Sequence, residues 1–228
     1  MRLDFSIIFA YTCPMSRIYI SEHASPRLTE YLTEKGHELC VMGSNPALNV
    51  DPAIICHPDI LHCHLKDGYV FHGDPLTLGP SYPYDVPYNA CSTGRYFIHN
   101  LKHTSPELLA EAGRLGLETV HVAQGYTRCS VLPVDKGSII TSDRGVAASC
   151  TQLDVLLITP GHILLPGYNT GFIGGTGGRV GNEMLFNGDL SAHPDFLNIK
   201  DFIESRGIRC LWFSDIPLTD IGSIIEEY

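Results

Sequence analysis

The chain has 228 residues, of which 44% are hydrophobic and 18% are charged, and its formal net charge at pH 7 is −10. This acidity excludes a protein built mainly to bind nucleic-acid phosphates, because such a protein needs a basic face. The length suits one large domain or two small ones, with an ample hydrophobic core.

The N-terminal residues 1–14 are predicted to be an extension that precedes a single domain over residues 15–228. Their apolar run, Ser6–Cys13, is too short to span a bilayer, and it lacks the features of a signal peptide. The eight cysteines are scattered without a C-x-x-C pair, which is typical of reduced thiols in a cytoplasmic protein. We therefore expect a cytoplasmic location and no contact with a membrane.

Three helices are predicted from their start and stop signals. Ser25–Lys35 and Ser105–Leu115 each begin with Ser-Pro, where the serine caps the helix and the proline takes its first position. The third helix is predicted over His193–Arg206. A glycine follows each of the three as a stop residue. Arg144–Ile158 is a weaker copy of the same helix-then-strand pattern.

Three hairpins alternate with these helices. Ile60–Asp74, Cys129–Gly145 and Gly171–Asp189 each read as a strand, a turn around glycine, a second apolar strand and an aspartate. A proline- and tyrosine-rich segment, Asp74–Gly94, occupies one expected helix position and either replaces that helix or forms a lid. The spacing of about forty residues predicts five hairpin–helix–strand units in a closed or stacked array.

The chain resembles the pentein superfamily in this repeat over residues 17–225 and in sequence segments such as VHVAQGYTRCSVLPVDKGSIIT. That group includes arginine deiminases, dimethylarginine hydrolases, amidinotransferases and the ribosome anti-association factors. The resemblance implies an α/β fold, a pentein-like five-unit α/β-propeller with pseudo-fivefold repeats around a central channel and helices outside.

The resemblance also implies a histidine at the opening of the third hairpin and a cysteine nucleophile near the C-terminus. Here the third hairpin opens with Gly125–Cys129 and has no histidine, and Ser223 or Ile224 stands where the cysteine is expected. Arg128 would repel a guanidinium ligand. We therefore expect no arginine deiminase-type activity.

Polar residues at the strand ends of the repeated hairpins form the predicted site, because pseudo-symmetry gathers equivalent strand ends at the channel. The candidate catalytic residues are Cys129 and His62. The candidate ligand-binding residues are Asp59, His64, Asp74, Arg128, Asn169 and Asp189. The alternative for Asp74 and Asp189 is that they cap turns.

On a strand, His62 and His64 share a face, and with Asp59 they offer metal ligands. The alternative is that they line solvent or the channel, and we predict no metal and no cofactor.

Three functions remain open on the sequence. The first is the binding of a small polar molecule (an amide, guanidino compound or zwitterion) in the channel, without the usual Cys/His chemistry. The second is an amidine- or guanidine-modifying enzyme with a relocated nucleophile, Cys129 or Cys91, and a histidine from positions 57, 62 or 64. The third is a protein-binding pentein like the ribosome factors.

Overall fold

The structure is a computed structural model that describes residues 16–228. The predicted extension over residues 1–14 lies outside the described residues. The chain is mixed α/β, and its strands form five small sheets of two or three strands each. In chain order the strands are β1 (Arg17–Ser21), β2 (Glu38–Met42), β3 (His62–Lys66), β4 (Tyr69–His72), β5 (Cys91–Ser92), β6 (Tyr96–His99), β7 (Glu118–His121), β8 (Val131–Asp135), β9 (Ser138–Thr141), β10 (Asp154–Leu157), β11 (Gly177–Val180), β12 (Glu183–Phe186), β13 (Arg209–Trp212) and β14 (Ile225–Glu227).

Four of the five α-helices described connect the parallel strands of these sheets. The helices are α1 (Pro26–Glu34), α2 (Pro106–Arg114), α3 (Thr127–Ser130), α4 (Arg144–Ser149) and α5 (Phe196–Glu204). The exception, α3, lies between β7 and β8 of two different sheets. None of the helices within residues 16–228 is long and apolar enough to cross a membrane.

The predicted helix starts of α1 and α2 are confirmed. Ser25 Oγ and Ser105 Oγ accept hydrogen bonds from the backbone N–H groups three residues later, and proline occupies the first helical turn. The helix predicted from His193 begins later, at Phe196. Its N-cap residue, Asp195, does not cap it, because the Asp195 carboxylate accepts instead from the backbone N–H of Thr159 at 2.6 Å.

All three predicted hairpins are present, as the antiparallel pairs β3/β4, β8/β9 and β11/β12. In three sheets a hairpin is followed by a helix and a parallel third strand, which gives the orders β5-β6-β7, β8-β9-β10 and β11-β12-β13. The remaining three-stranded sheet joins the two ends of the described chain, because β14 pairs antiparallel with β1 and β1 pairs parallel with β2. Among residues 16–228, no third strand pairs with the β3/β4 hairpin.

The first strands of the hairpins contact one another, together with β14. The contacts run from β3 to β5, from β5 to β8, from β8 to β11, from β11 to β14 and from β14 back to β3. These five strands belong to five different sheets, so the contacts between them are made outside the hydrogen-bonded ladders. Residues just before these strands are thereby brought close to one another.

The proline- and tyrosine-rich segment after β4 forms no α-helix and packs against the hydrophobic core. Its Leu78 and Tyr88 are buried in the same cluster as Leu65 of β3 and Phe97 of β6. The Tyr88 hydroxyl also bonds to the hydroxyl of Thr77 at 2.8 Å. The segment therefore covers the β3 and β6 side chains that a helix of this unit would cover.

Candidate functional site

Asp59 lies at the centre of a buried polar cluster. A short 3₁₀ turn, Pro58–Ile60, places it just before β3, and its backbone N–H donates to the carbonyl of Gly222 at 3.2 Å. Its side chain is fully buried. The oxygen Oδ2 of Asp59 accepts from the thiol of Cys129 at 3.1 Å and from the hydroxyl of Ser223 at 2.7 Å. Residues from three distant parts of the chain therefore meet at one carboxyl group.

The side chain of Asn89 holds Cys129 in this cluster. Its Oδ1 accepts from the backbone N–H groups of Arg128 at 2.9 Å and of Cys129 at 3.3 Å. Its Nδ2 donates to Cys129 Sγ at 3.3 Å and to the carbonyl of Asp59 at 3.2 Å. A single buried amide thus fixes the start of α3, which carries Cys129, against the turn that carries Asp59.

His57 and Asp220 complete the cluster. The ring of His57 is buried, and its Nδ1 lies 3.9 Å from Asp220 Oδ1, which is too long for a hydrogen bond. Asp220 instead accepts from the backbone N–H groups of Phe172 at 2.9 Å and of Gly222 at 3.1 Å. Within residues 16–228, no group hydrogen-bonds to His57 Nδ1 or to Asp59 Oδ1. Because buried polar atoms are normally satisfied, these two atoms distinguish the cluster from an ordinary buried hydrogen-bond network.

Burial favours the neutral forms of the groups in this cluster. It raises the pKa of the Cys129 thiol well above its ordinary value, and the neighbouring carboxyl of Asp59 adds to that effect. Burial also raises the pKa of Asp59, raises the pKa of Asp220 to about 6 and lowers the pKa of His57. Cys129 is therefore a protonated thiol at neutral pH, unlike an activated thiolate nucleophile.

Arg128 makes a different set of contacts from its neighbour Cys129. Its guanidinium donates to the carbonyls of Val131 at 3.2 Å, Gly174 at 2.8 Å and Gly177 at 3.0 Å, and the residue is buried. None of the ion pairs found within residues 16–228 includes Arg128. Arg128 is thus a buried cation that is held by carbonyl oxygens without a directly paired carboxylate.

Arg128 lines a cavity of about 260 Å³ at the hairpin turns. The turns of β3/β4, β5/β6, β8/β9 and β11/β12 all contribute to its wall, as does the chain end after β14. The charged residues of the wall are Asp67, Arg128, Asp135, Lys136, Arg179 and Glu226. His64 also lines the cavity, and burial together with the charge of Arg128 lowers the pKa of its ring to about 4. The cavity therefore presents both signs of charge beside a neutral imidazole.

The structure brings together four of the eight predicted site residues in two adjacent groups. Asp59 and Cys129 lie in the buried cluster, and His64 and Arg128 line the cavity. The predicted catalytic pair of Cys129 and His62 does not form. His62 packs against the ring of Tyr19, with centroids 4.4 Å apart, and its Nδ1 lies 3.0 Å from that of His72. The histidine near Cys129 is His57.

The other three predicted residues, Asp74, Asp189 and Asn169, lie outside the cluster and the cavity. Two of them cap turns, and the third is exposed. Asp74 caps the turn that follows β4 by accepting from the backbone N–H of Leu76 at 2.9 Å. Asp189 caps the 3₁₀ turn that follows β12 by accepting from the backbone N–H of Ser191 at 3.0 Å. Asn169 is exposed on a loop. For both aspartates, the structure shows the capping alternative.

Asn89 and Asp220 belong to the cluster but were not among the predicted residues. A signal for Asn89 exists in the repeat itself. Four residues of the cluster share one position in the repeat, two or three residues before the first strand of a hairpin or before β14. They are Asp59, Asn89, Cys129 and Ser223. Aligning the repeats on the strand that follows, rather than on the aspartate that ends each hairpin, selects all four. Asp220 follows no such spacing and is positioned by the loop that leads to Ser223.

Residues 75–225 match a family of unknown function, DUF6873, and the chain belongs to this family. No curated protein matches the chain. The matched segment contains Asn89, Arg128, Cys129, Asp220 and Ser223, whereas His57 and Asp59 precede it.

Proposed function

We propose that this protein is a pentein-like five-unit α/β-propeller that binds a small zwitterionic or amide-bearing molecule in its central channel. The contacts of β3, β5, β8, β11 and β14 in a closed order support the five units. The segments where the pentein resemblance expects histidine and cysteine carry Cys129 and Ser223, and both donate to Asp59. This convergence supports the resemblance, while the residue types argue against the usual Cys/His chemistry.

The observation that carries the proposal is Arg128. A buried guanidinium without a paired carboxylate is costly, and the three carbonyls that hold it use only part of its donors. A carboxylate or amide oxygen of a ligand in the cavity is a suitable partner, because guanidinium binds such oxygens through several parallel hydrogen bonds. Arg128 therefore selects the negative or carbonyl end of the ligand.

The acidic residues of the same cavity select the other end of the ligand. Three carboxylates line the wall, those of Asp67, Asp135 and Glu226, and they can accept hydrogen bonds from an ammonium or amide N–H group. Lys136 and Arg179 line the same wall. A volume of about 260 Å³ lies just below the usual range for drug-sized ligands, about 300–1,000 Å³. A ligand of amino-acid size fits this space.

Calorimetric titration of the full chain with four sets of small molecules tests the proposal. The sets are zwitterionic amino acids, their carboxyl-free amines, their amine-free acids and uncharged amides. We expect saturable binding of a zwitterion or an amide and none of the carboxyl-free amines. Binding of the amines alone, or of none of the four sets, would overturn the proposal.

A matched pair of exposed lysines locates the binding. Lys136 lines the cavity, whereas Lys35 lies at the end of α1 and pairs with Glu183. Lys136→Ala should weaken the binding of the best ligand, and Lys35→Ala should leave it unchanged. Equal effects of the two substitutions would place the binding elsewhere.

An enzyme with a relocated nucleophile is the second candidate, and the grouping of Cys129, Asp59 and His57 favours it. The ligand atoms of these three side chains all lie within 4.8 Å of one another. The thiol is protonated at rest, so this function requires a substrate that displaces its proton toward the neutral ring of His57. Turnover of an amidine or amide by the wild-type protein, together with its loss in Cys129→Ser, would establish this candidate. Rapid single-site alkylation of Cys129 near neutral pH would support it.

A further inference from the structure

Three metal-ligating side chains meet at the solvent-facing end of β1, outside the cluster and the cavity described above. Glu22 and His23 directly follow β1 and are exposed, and Cys56 is buried just before the turn that carries Asp59. Hydrogen bonds fix this end of the strand, since the backbone N–H of Glu22 donates to the carbonyl of Met42 at 2.9 Å. The three residues precede the segment that matches the family.

The distances between the three side chains are those of a metal site. Cys56 Sγ lies 3.3 Å from Glu22 Oε1 and 3.7 Å from His23 Nε2, and the three ligand atoms all lie within 4.8 Å of one another. In a tetrahedral zinc site, bonds of about 2.3 Å to sulfur and about 2.1 Å to nitrogen or oxygen separate the sulfur from each other ligand by about 3.6 Å. The two distances from Cys56 Sγ therefore differ from this value by a few tenths of an ångström. The side chains of Glu22 and His23 are exposed and can adjust around a zinc ion.

The type of ligand also points to one class of metal. A thiolate, an imidazole and a carboxylate together suit Zn²⁺ and its spectroscopic substitute Co²⁺, whereas Ca²⁺ and Mg²⁺ prefer oxygen ligands alone. Ser44 holds the carboxylate in place, because its backbone N–H donates to Glu22 Oε1 at 2.8 Å. The hydroxyl of Ser44 lies 3.3 Å from Cys56 Sγ and donates to Glu22 Oε1 at 3.0 Å, so it is next to two of the three ligand atoms.

The geometry points to a zinc-type site in which Glu22, His23 and Cys56 bind one divalent transition-metal ion and a fourth position stays open to Ser44 or water. The thiol of Cys56 donates to Glu22 Oε1 in the metal-free form. Binding replaces that S–H proton by the metal ion, and the proton leaves to solvent. Because Glu22 and His23 are exposed, the ion reaches the site without any opening of the fold.

A second set of metal-ligating groups, His57, Asp59 and Cys129, is a competing location. Its three ligand atoms are also within 4.8 Å of one another, but all three residues are buried. Entry of an ion there would require the fold to open, and the amide of Asn89 already donates to Cys129 Sγ. The exposed set is therefore the one that we expect to bind metal from solution.

Titration of the reduced, metal-free full chain with Co²⁺ tests this site. We expect one equivalent to bind with the near-ultraviolet charge-transfer absorption of a cobalt–thiolate bond, and Zn²⁺ to displace it. Cys56→Ser should abolish that absorption, and Cys40→Ser, which alters a half-buried thiol of β2, should leave it unchanged.

His23→Ala provides a second variant, because an exposed side chain can be removed without loss of the fold. It should weaken Co²⁺ binding by at least about tenfold, since even the loss of a residue that only supports a ligand costs about 10–100-fold in affinity. Absence of the thiolate absorption in the wild-type protein would overturn the proposal. Its persistence in Cys56→Ser, or its loss in Cys129→Ser, would do the same.

Discussion

Arg128 separates two polar regions that differ in solvent access and in charge. On one side, Asp59, Cys129 and Ser223 belong to a sealed cluster in which burial raises the pKa of the Asp59 carboxyl and of the Cys129 thiol. On the other side, the cavity at the hairpin turns carries exposed charges of both signs, such as Asp67 and Lys136. The comparison teaches that reactive residue types lie where water is excluded, whereas the charges that select a ligand lie at the open rim.

The sealed side is tightly packed at Gly222, and Gly207, which lies after α5 and outside both regions, is its matched control. Gly222 and Gly207 have the same backbone φ of +72°, but a Cβ on Gly222 would lie 2.1 Å from the Cβ of His57, whereas one on Gly207 would meet nothing within 4 Å. Gly222→Ala should lower the free energy of unfolding by about 3 kcal/mol, from left-handed strain and overpacking combined. Gly207→Ala should cost only the strain, about 1 kcal/mol.

Chemical denaturation of both variants beside the wild-type protein gives these values. Equal losses would mean that the loop before β14 moves freely away from His57. The sealed cluster would then be a loose region like the rim.

His64 lines the cavity beside Arg128, and its titration makes the free energy of unfolding depend on pH. Burial first, and then the charge of Arg128, lowers the pKa of its ring in the folded state to about 4, against an ordinary value of 6.5. The neutral ring therefore stabilises the fold fully above about pH 6.5, and this contribution falls as the pH drops toward 4. Between pH 7 and pH 5 the loss should be about 2 kcal/mol.

Unfolding curves of the wild-type protein and of His64→Gln at the two pH values isolate this contribution. The variant should lose about 2 kcal/mol less than the wild-type protein on acidification, and His121→Gln, at an exposed position, should behave like the wild type. Parallel losses in all three proteins would contradict the depressed pKa of His64.

Asp59 should destabilise the fold at neutral pH. Burial raises its pKa in the folded state, so the folded chain keeps a proton that the unfolded chain has lost. For a raised carboxyl pKa, stability is greatest at low pH and falls as the pH rises through the folded-state value. Asp59→Asn, which mimics the neutral acid, should therefore raise the free energy of unfolding at pH 8.

Asp67→Asn is the matched change at the rim, where the side chain is exposed and asparagine tolerates the positive φ of 48°. It should leave the stability unchanged. If Asp59→Asn instead destabilised the protein at pH 8, the carboxylate would be ionised and structurally required. The contrast between a neutral interior and a charged rim would then be lost.

Local signals in the sequence predict most of the helices and hairpins, because each depends on residues within one turn of the element. The Ser-Pro starts of α1 and α2 and the glycine stops behind them are examples. The sheet of β14, β1 and β2 was not predicted, because it pairs the two ends of the described chain and no local pattern records such pairing.

The candidate site was predicted in part for the same reason. Asp59 and Cys129 stand out as polar residues beside apolar strands, but their contact depends on how separate units pack together. Asp74 and Asp189 have their partners two residues away, so a capping role is readable from the sequence and competes with any role in a site. Asp220 has a partner 48 positions away, which only the folded chain reveals. Asn89 also has a partner 40 positions away, but its place two residues before β5 could have been found from the repeat.

The smallest expected effect concerns the ion pair at the rim. Lys136 Nζ lies 3.6 Å from Asp67 Oδ1 and links the turns of two hairpins, with both side chains about 70% exposed. Exposed pairs contribute little, because water screens the attraction and two long side chains lose freedom, so Lys136→Ala should change the free energy of unfolding by less than about 0.5 kcal/mol. A double-mutant cycle with Asp67→Ala should give a coupling of that size at low salt and none in high salt.

A coupling above about 1 kcal/mol that survives salt would show that the rim holds the hairpins together. Lys136 would then act on ligand binding through the shape of the cavity, and its charge would no longer be the reason for its effect.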